Sequence, residues 1–292
     1  MQTRKATRSK HSKRLHRPSF ARKECIVRKM KRGILFSVRS ELPNFLMRTL
    51  LVLVVVFILA LSISNEPNIY GPNGVNATQS PFGFFLALYQ GCEEPSFNLQ
   101  SPVDIPEAWF LIQILLAILV GAGPACKLST CGFQDTLRMQ SRISLWASKC
   151  IIAFADVVVF YLLLAFGSIV YVYLRRSASV FFIWEGMNIC VLLFFLSLPC
   201  LSYAVSLAQA ALSIVAGRML SFLCIVSFYI ASTFTSLPFM IGDYSMLLRS
   251  TISSGQNSAI MSLCYSAELA AISICVACYV IRRKNLLRDS EG

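Results

Sequence analysis

Histidine is almost missing from this chain. The 292 residues contain two, His11 and His16, both near the start. Ser-His and Cys-His nucleophilic arrangements therefore have no base to draw on in the rest of the chain, and a histidine-ligated zinc site has no ligands there. No glycine is followed by lysine, so the Gly-Lys-Ser/Thr cradle that holds nucleotide phosphates is lacking too. Charge is also scarce: 14% of residues are Asp, Glu, Lys or Arg, against about 25% in a soluble globular chain. Residues 65–107 hold no Lys or Arg at all, yet contain Glu66, Glu93, Glu94, Asp104 and Glu107. These deficits argue against an enzyme, and no catalytic or metal-ligating residue is assigned.

Apolar length fills the gap. Hydrophobic residues make up 56% of the chain, and the mean hydropathy is +0.64. Crossing a hydrocarbon core of about 30 Å takes roughly 20 apolar residues. The sequence predicts an all-α integral membrane protein with six transmembrane helices, at about 49–64, 108–125, 150–174, 188–210, 220–241 and 258–281. The run from Ile189 to position 241 is almost unbroken. As one helix it would be roughly 80 Å long, so it must fold back, and Gly217 beside Arg218 is the expected turn.

The cations set the orientation. Fifteen Lys and Arg precede the first span, and four (Lys127, Arg138, Arg142 and Lys149) lie between the second and third. Arg218 lies between the fourth and fifth, and Arg282, Arg283, Lys284 and Arg288 follow the last. The alternate connections hold only Arg175, Arg176 and Arg249. The positive-inside bias puts both termini in the cytoplasm and the 65–107 connection outside, in a cell membrane, multi-pass.

Residues 1–32 read as a basic, disordered cytoplasmic tail lying against anionic lipid headgroups rather than as a nucleic-acid-binding arm. Translation starts at Met1 or at Met30, and no cleavable signal is evident. Residues 33–292 form one six-span domain. "RGILFSVRSELPNFLMR" suits an amphipathic helix on the cytoplasmic surface that turns into the membrane. "PFGFFLALYQG" is apolar but too short to cross, so it is expected to rest at the outer interface. Eleven cysteines are scattered along the chain. Cys126/Cys131 and Cys275/Cys278 have metal-like spacing but lack further ligands.

Two intramembrane acids and one basic stretch carry the functional reading. Asp156 and Glu268 fall within spans, where a charge near the bilayer centre costs about 3 kcal/mol, so each is a candidate for a translocation path. The alternative is a neutral or hydrogen-bonded packing role, the reading also given to Gln113 and Gln209. In "LRMQSRISLWASKC", a helical period places Arg138, Arg142 and Lys149 within about 40° of one another. Met139, Ile143, Trp146 and Cys150 form a second stripe. Pattern alone allows an interfacial lipid anchor or a helix that receives a soluble partner.

The order of these features resembles the permease subunits of type-2 ATP-binding-cassette exporters. "GFQDTLRMQSRISLWASKC" is similar to the Gly-x-Gln…Leu-Arg…Ser-Arg…Trp-x-Ser-Lys run of bacterial members, and "LPFMIGDYSMLLRS" resembles theirs near the last outer loop. The resemblance covers roughly residues 30–290. It implies a permease that forms a homodimer or heterodimer, builds the translocation path and binds a separate cytoplasmic ATPase. ATP and Mg would be held by that partner, and no cofactor by this chain. Arg138, Arg142, Trp146 and Lys149 would form the ATPase-coupling helix between spans two and three. Two other readings stay open: a proton-coupled secondary carrier using Asp156 or Glu268, and a non-transporting membrane immunity or scaffold protein.

Overall fold

The computed structural model describes residues 50–55, 57–59, 81–92, 106–121, 142–175, 189–235, 237, 240–252 and 257–283. Among them there is no strand, only an isolated bridge between Ser250 and Asn257. In chain order the helices are α1 (Leu50–Leu59), α2 (Pro81–Leu88), α3 (Glu107–Leu116), α4 (Arg142–Arg175), α5 (Ile189–Ala216), α6 (Arg218–Phe234) and α7 (Ala259–Arg283). Three of them, α4, α5 and α7, are long and apolar enough to cross a membrane. The described part of the chain is thus helical, with three helices of membrane-crossing length and apolarity, as in a membrane protein.

The turn expected at Gly217 is there. Gly217 has φ +85° and separates α5 from α6, a left-handed backbone that glycine adopts without a Cβ penalty. Two other boundaries differ from expectation. The helix that carries the third predicted span starts before residue 150: α4 is continuous from Arg142, so the second half of the basic stretch forms its first turns. The fifth apolar run ends at Phe234, short of 241, and residues Ile241–Ser245 form a 3-10 turn instead.

Helix α5 is the hub, packing against α4, α6, α7 and the end of α3. Its broadest contact is with α7. Small residues make this possible: Ala204, Ala210 and Ala211 are buried on α5, and Ser262, Ser266, Ser273 and Ala277 on α7. Small side chains let two backbones approach where lipid supplies no hydrophobic drive between helices. Tyr161 of α4 reaches α5 beside Pro199, with its hydroxyl 2.7 Å from Ser202 Oγ and 3.3 Å from the Leu198 carbonyl.

Helix α3 continues as a π-helical turn over Ala117–Gly121, and Gly121 lies directly on the Gln209 amide of α5. A Cβ at position 121 would overlap that amide. Gln113 and Gln209 are both buried, as packing residues would be. Neither amide nitrogen has a hydrogen-bond partner among the described residues, nor does Gln209 Oε1.

Helix α2 refines an expectation. The "PFGFFLALYQG" stretch is enclosed by other helices rather than laid on the surface of the protein. Phe84, Phe85, Leu86, Leu88 and Tyr89 are buried, with the Phe84 ring tilted against Tyr171 of α4 (4.9 Å) and the Phe85 ring against Phe195 of α5 (4.8 Å). The segment is apolar on all sides, and such a helix is stable when enclosed rather than laid on a surface.

Candidate functional site

Two regions concentrate buried polar chemistry. The first surrounds Arg249, which follows the 3-10 turn and has 0% of its surface exposed. Its guanidinium binds Asp243 Oδ1 at 2.8 Å through Nη1. The same nitrogen donates to the carbonyls of Ser232 (2.7 Å) and Thr235 (3.1 Å). Nη2 donates to the Thr233 carbonyl (2.9 Å) and approaches Cys92 Sγ (3.2 Å), while Nε donates to the Cys92 carbonyl (3.2 Å).

The physical reason is the end of α6. A helix leaves its last four carbonyls without intrahelical donors, and the C-terminal end of its dipole favours a cation. The Thr235 hydroxyl takes the Ala231 carbonyl (2.8 Å), and Arg249 takes the next two. Only the planar fork of arginine can address so many acceptors at once. A buried charge requires such compensation.

The Arg249 centre draws together segments far apart in sequence. Leu247 and Leu248 donate their amides to the carbonyls of Tyr89 (2.7 Å) and Gln90 (3.0 Å) after α2. Gly91 has φ +71°, and a Cβ there would collide with Met246. Trp109 at the start of α3 donates its indole N–H to Ser245 Oγ (2.8 Å) and meets Tyr229 of α6 edge-on at 5.7 Å. Burial pushes the Cys92 thiol above its ordinary pKa, and the adjacent Arg249 guanidinium offsets part of that rise. In the sequence, Arg249 is a cation in an alternate connection and part of the "LPFMIGDYSMLLRS" run, with no ion pair assigned to it; the signal is Asp243 and Arg249, six apart in a loop with no other charge.

The second region lies at the Arg142 end of α4. Trp146 is 1% exposed and packs with Leu145 and Cys150 against Leu207, Ala210 and Ala211 of α5 and Ala277 and Ile281 of α7. Its Nε1 has no hydrogen-bond partner among the described residues. Lys149 is 3% exposed and partnered. Tyr203 of α5 ties its hydroxyl to the Cys150 carbonyl at 3.3 Å and packs edge-on against Phe154. Trp146 and Lys149 are thus enclosed in the helix bundle, whereas Ile143 one turn earlier is exposed. Arg142 begins α4, and its side chain lies outside the described residues, as does Arg138 entirely.

The two acids are not alike. Asp156 is half-buried on α4 and partnered. Glu268 is exposed on α7. Among the described residues, no group of three or more His, Cys, Asp or Glu is placed to hold a metal ion. Cys275 is exposed and Cys278 half-buried, while Cys126 and Cys131 fall outside the described residues. No family model, curated protein or solved structure matches the chain.

Proposed function

We propose that this chain is the membrane-spanning permease subunit of a bacterial ATP-binding-cassette exporter, with six spans, both termini in the cytoplasm, and ATP hydrolysed by a separate cytoplasmic subunit. One observation carries the reading. From Arg142 onward the basic stretch forms the first turns of α4, and Trp146, one turn inside, is wedged between α5 and α7. A push on the exposed start of α4 reaches three helices through one side chain. Close-packed interiors pass displacement on rather than absorb it.

The roles divide accordingly. Arg138 and Arg142 meet the ATPase, while Trp146 and Lys149 carry its movement into the bundle. Closure of the ATPase on nucleotide tilts α4, and α5 and α7 follow, exchanging access between the two faces of the membrane. The Arg249 centre lies on the outer side, where it holds the ends of α3, α6 and the chain after α2 as one body. Asp156, on the helix that moves, is the candidate for the translocation path. Glu268 faces away from the bundle, so it can serve a path only at a boundary with another subunit.

Affinity purification of the full chain from its native membrane tests the coupling. An ATPase carrying a phosphate cradle is expected to co-purify, and Arg138→Glu with Arg142→Glu to reduce its recovery at least tenfold. Equal recovery from the charge-reversed chain would leave these cations as lipid anchors only.

A further inference from the structure

We infer that the seam between α3 and α5 holds water, bound by Gln113, Ser206 and Gln209 in the interior of the bundle. Helix α5 carries a polar stripe. Ser202, Ser206, Gln209 and Ser213 are all buried, and spacings of four, three and four residues keep them within about 60° of arc at 100° per residue. The two ends of the stripe are satisfied. Ser202 Oγ lies 2.7 Å from the Tyr161 hydroxyl, and Ser213 donates to the Ala210 carbonyl of its own helix (2.7 Å). The middle is different: Ser206 Oγ and both polar atoms of the Gln209 amide have no hydrogen-bond partner among the described residues.

The facing helix continues the site. Trp109, at the start of α3, bonds Ser245 beside the Arg249 centre, where α6 ends, while α5 finishes where α6 begins, at Gly217. Helices α3 and α5 therefore run in the same direction, and Gly121 meets Gln209. Gln113, Ala117 and Gly121, four apart, share one side of α3 and its π-helical turn. Gln113 lies eight residues before Gly121, about 12 Å along the axis, which brings it level with Ser202, about 10 Å before Gln209 on α5. Ala117 falls halfway, level with Ser206. Two glutamines thus close off a short stretch lined by an alanine and a serine. Gln113 Nε2 also has no partner among the described residues, and Gln113, Ser206 and Gln209 are 1%, 2% and 0% exposed.

The unmet atoms identify the ligand. Both ends of the Gln209 amide are unmet, so a donor and an acceptor are needed whichever way the amide is turned. Ser206 has not folded back onto a carbonyl of α5, as Ser197 has (2.8 Å), which would have satisfied it locally. Left dry, each of these groups forfeits the hydrogen bonds it would make in water. No charged side chain is among them, which argues against an ion. Mixed donors and acceptors fit a small neutral molecule that is both, and buried water makes about three hydrogen bonds to groups of this kind. Gln113 and Gln209 then join the helices through water rather than by direct contact. The inference goes beyond the exporter reading and needs neither an ATPase nor transport.

Hydroxyl-radical footprinting of the full chain in lipid nanodiscs tests it, since X-ray radiolysis of a bound water oxidises the side chains beside it even where bulk solvent does not reach. Val205 and Leu207 are buried alike. Val205 lies on the side of α5 that carries Gln209, whereas Leu207 packs with Trp146 on the other. Leucine is no less reactive toward the radical than valine, so a dry seam labels Val205 no more than Leu207. Expected is at least tenfold more oxidation at Val205 than at Leu207 in the native chain, and at least a tenfold loss of the Val205 label in the folded Ser206→Ala/Gln209→Leu variant, with Leu207 unchanged. Equal labelling of the two positions in the native chain, or a Val205 label that survives in the double variant, would overturn the inference. The native comparison decides even if the variant does not fold, and ATPase recovery scores the exporter reading separately.

Discussion

Replacing Arg249 by lysine keeps the positive charge and removes the fork. The native guanidinium reaches five oxygen acceptors from three nitrogens: Asp243 Oδ1 and the carbonyls of Cys92, Ser232, Thr233 and Thr235. An ammonium has three donors on one atom, so at least two of those buried oxygens lose their partner. Each orphaned acceptor costs about 1–3 kcal/mol, giving a destabilisation of roughly 2–6 kcal/mol. At about 2–4 °C per kcal/mol for a chain of a few hundred residues, the midpoint of thermal unfolding in detergent should fall by about 4–24 °C. Fluorescence-detected size exclusion after stepwise heating reads that shift. Arg249→Met with Asp243→Leu sharpens the test. If the ion pair were the whole contribution, apolar replacement of both partners would be close to neutral. If the guanidinium also caps α6, the double variant stays well below native because the carbonyls remain unsatisfied. A native-like midpoint for either Arg249→Lys or the double variant would refute the capping argument.

Three further outcomes follow from the same contacts. Trp146→Phe should cost only about 1–2 kcal/mol, because the lost indole N–H has no partner, whereas Trp146→Ala opens a cavity worth about 3–5 kcal/mol; chemical or thermal unfolding of the two purified variants separates them. Gly121→Ala should weaken packing of the π-helical turn against α5, and Gln209→Ala in the same chain should recover part of the loss, a coupling that a double-mutant cycle of unfolding midpoints detects. Cys92 alkylation by a maleimide should be slower at pH 7.5 than that of a free thiol and should accelerate past pH 9, since a raised pKa lowers the thiolate fraction at neutral pH; a full rate at neutral pH would contradict the burial of that thiol.

Periodicity and apolar length were enough to find the long helices, because a membrane-crossing run and a turn glycine such as Gly217 are local signals. Three features were out of reach for reasons that are not local. Helix α2 has no polar side, so its sequence marks it as apolar without saying whether lipid or protein surrounds it. Trp146 and Lys149 lie at helical spacing, yet which face of α4 is enclosed depends on where α5 and α7 pack. Asp243 and Arg249 sit in an irregular loop without a repeat, and their partners at Cys92, Ser232 and Thr233 are 16 to 157 residues away in sequence. A buried ion pair that closes a helix end is a tertiary device, legible only once the end of α6 is known.

The central claim is that this chain is moved by a separate ATPase gripping the start of α4. The direct measurement is ATP hydrolysis by the complex purified through the full chain from native membranes, compared with the Arg138→Glu/Arg142→Glu chain purified in the same way. The account predicts hydrolysis in the first preparation and at least a tenfold loss in the second, at equal amounts of folded permease. A native preparation that contains the intact permease and hydrolyses no ATP would contradict it.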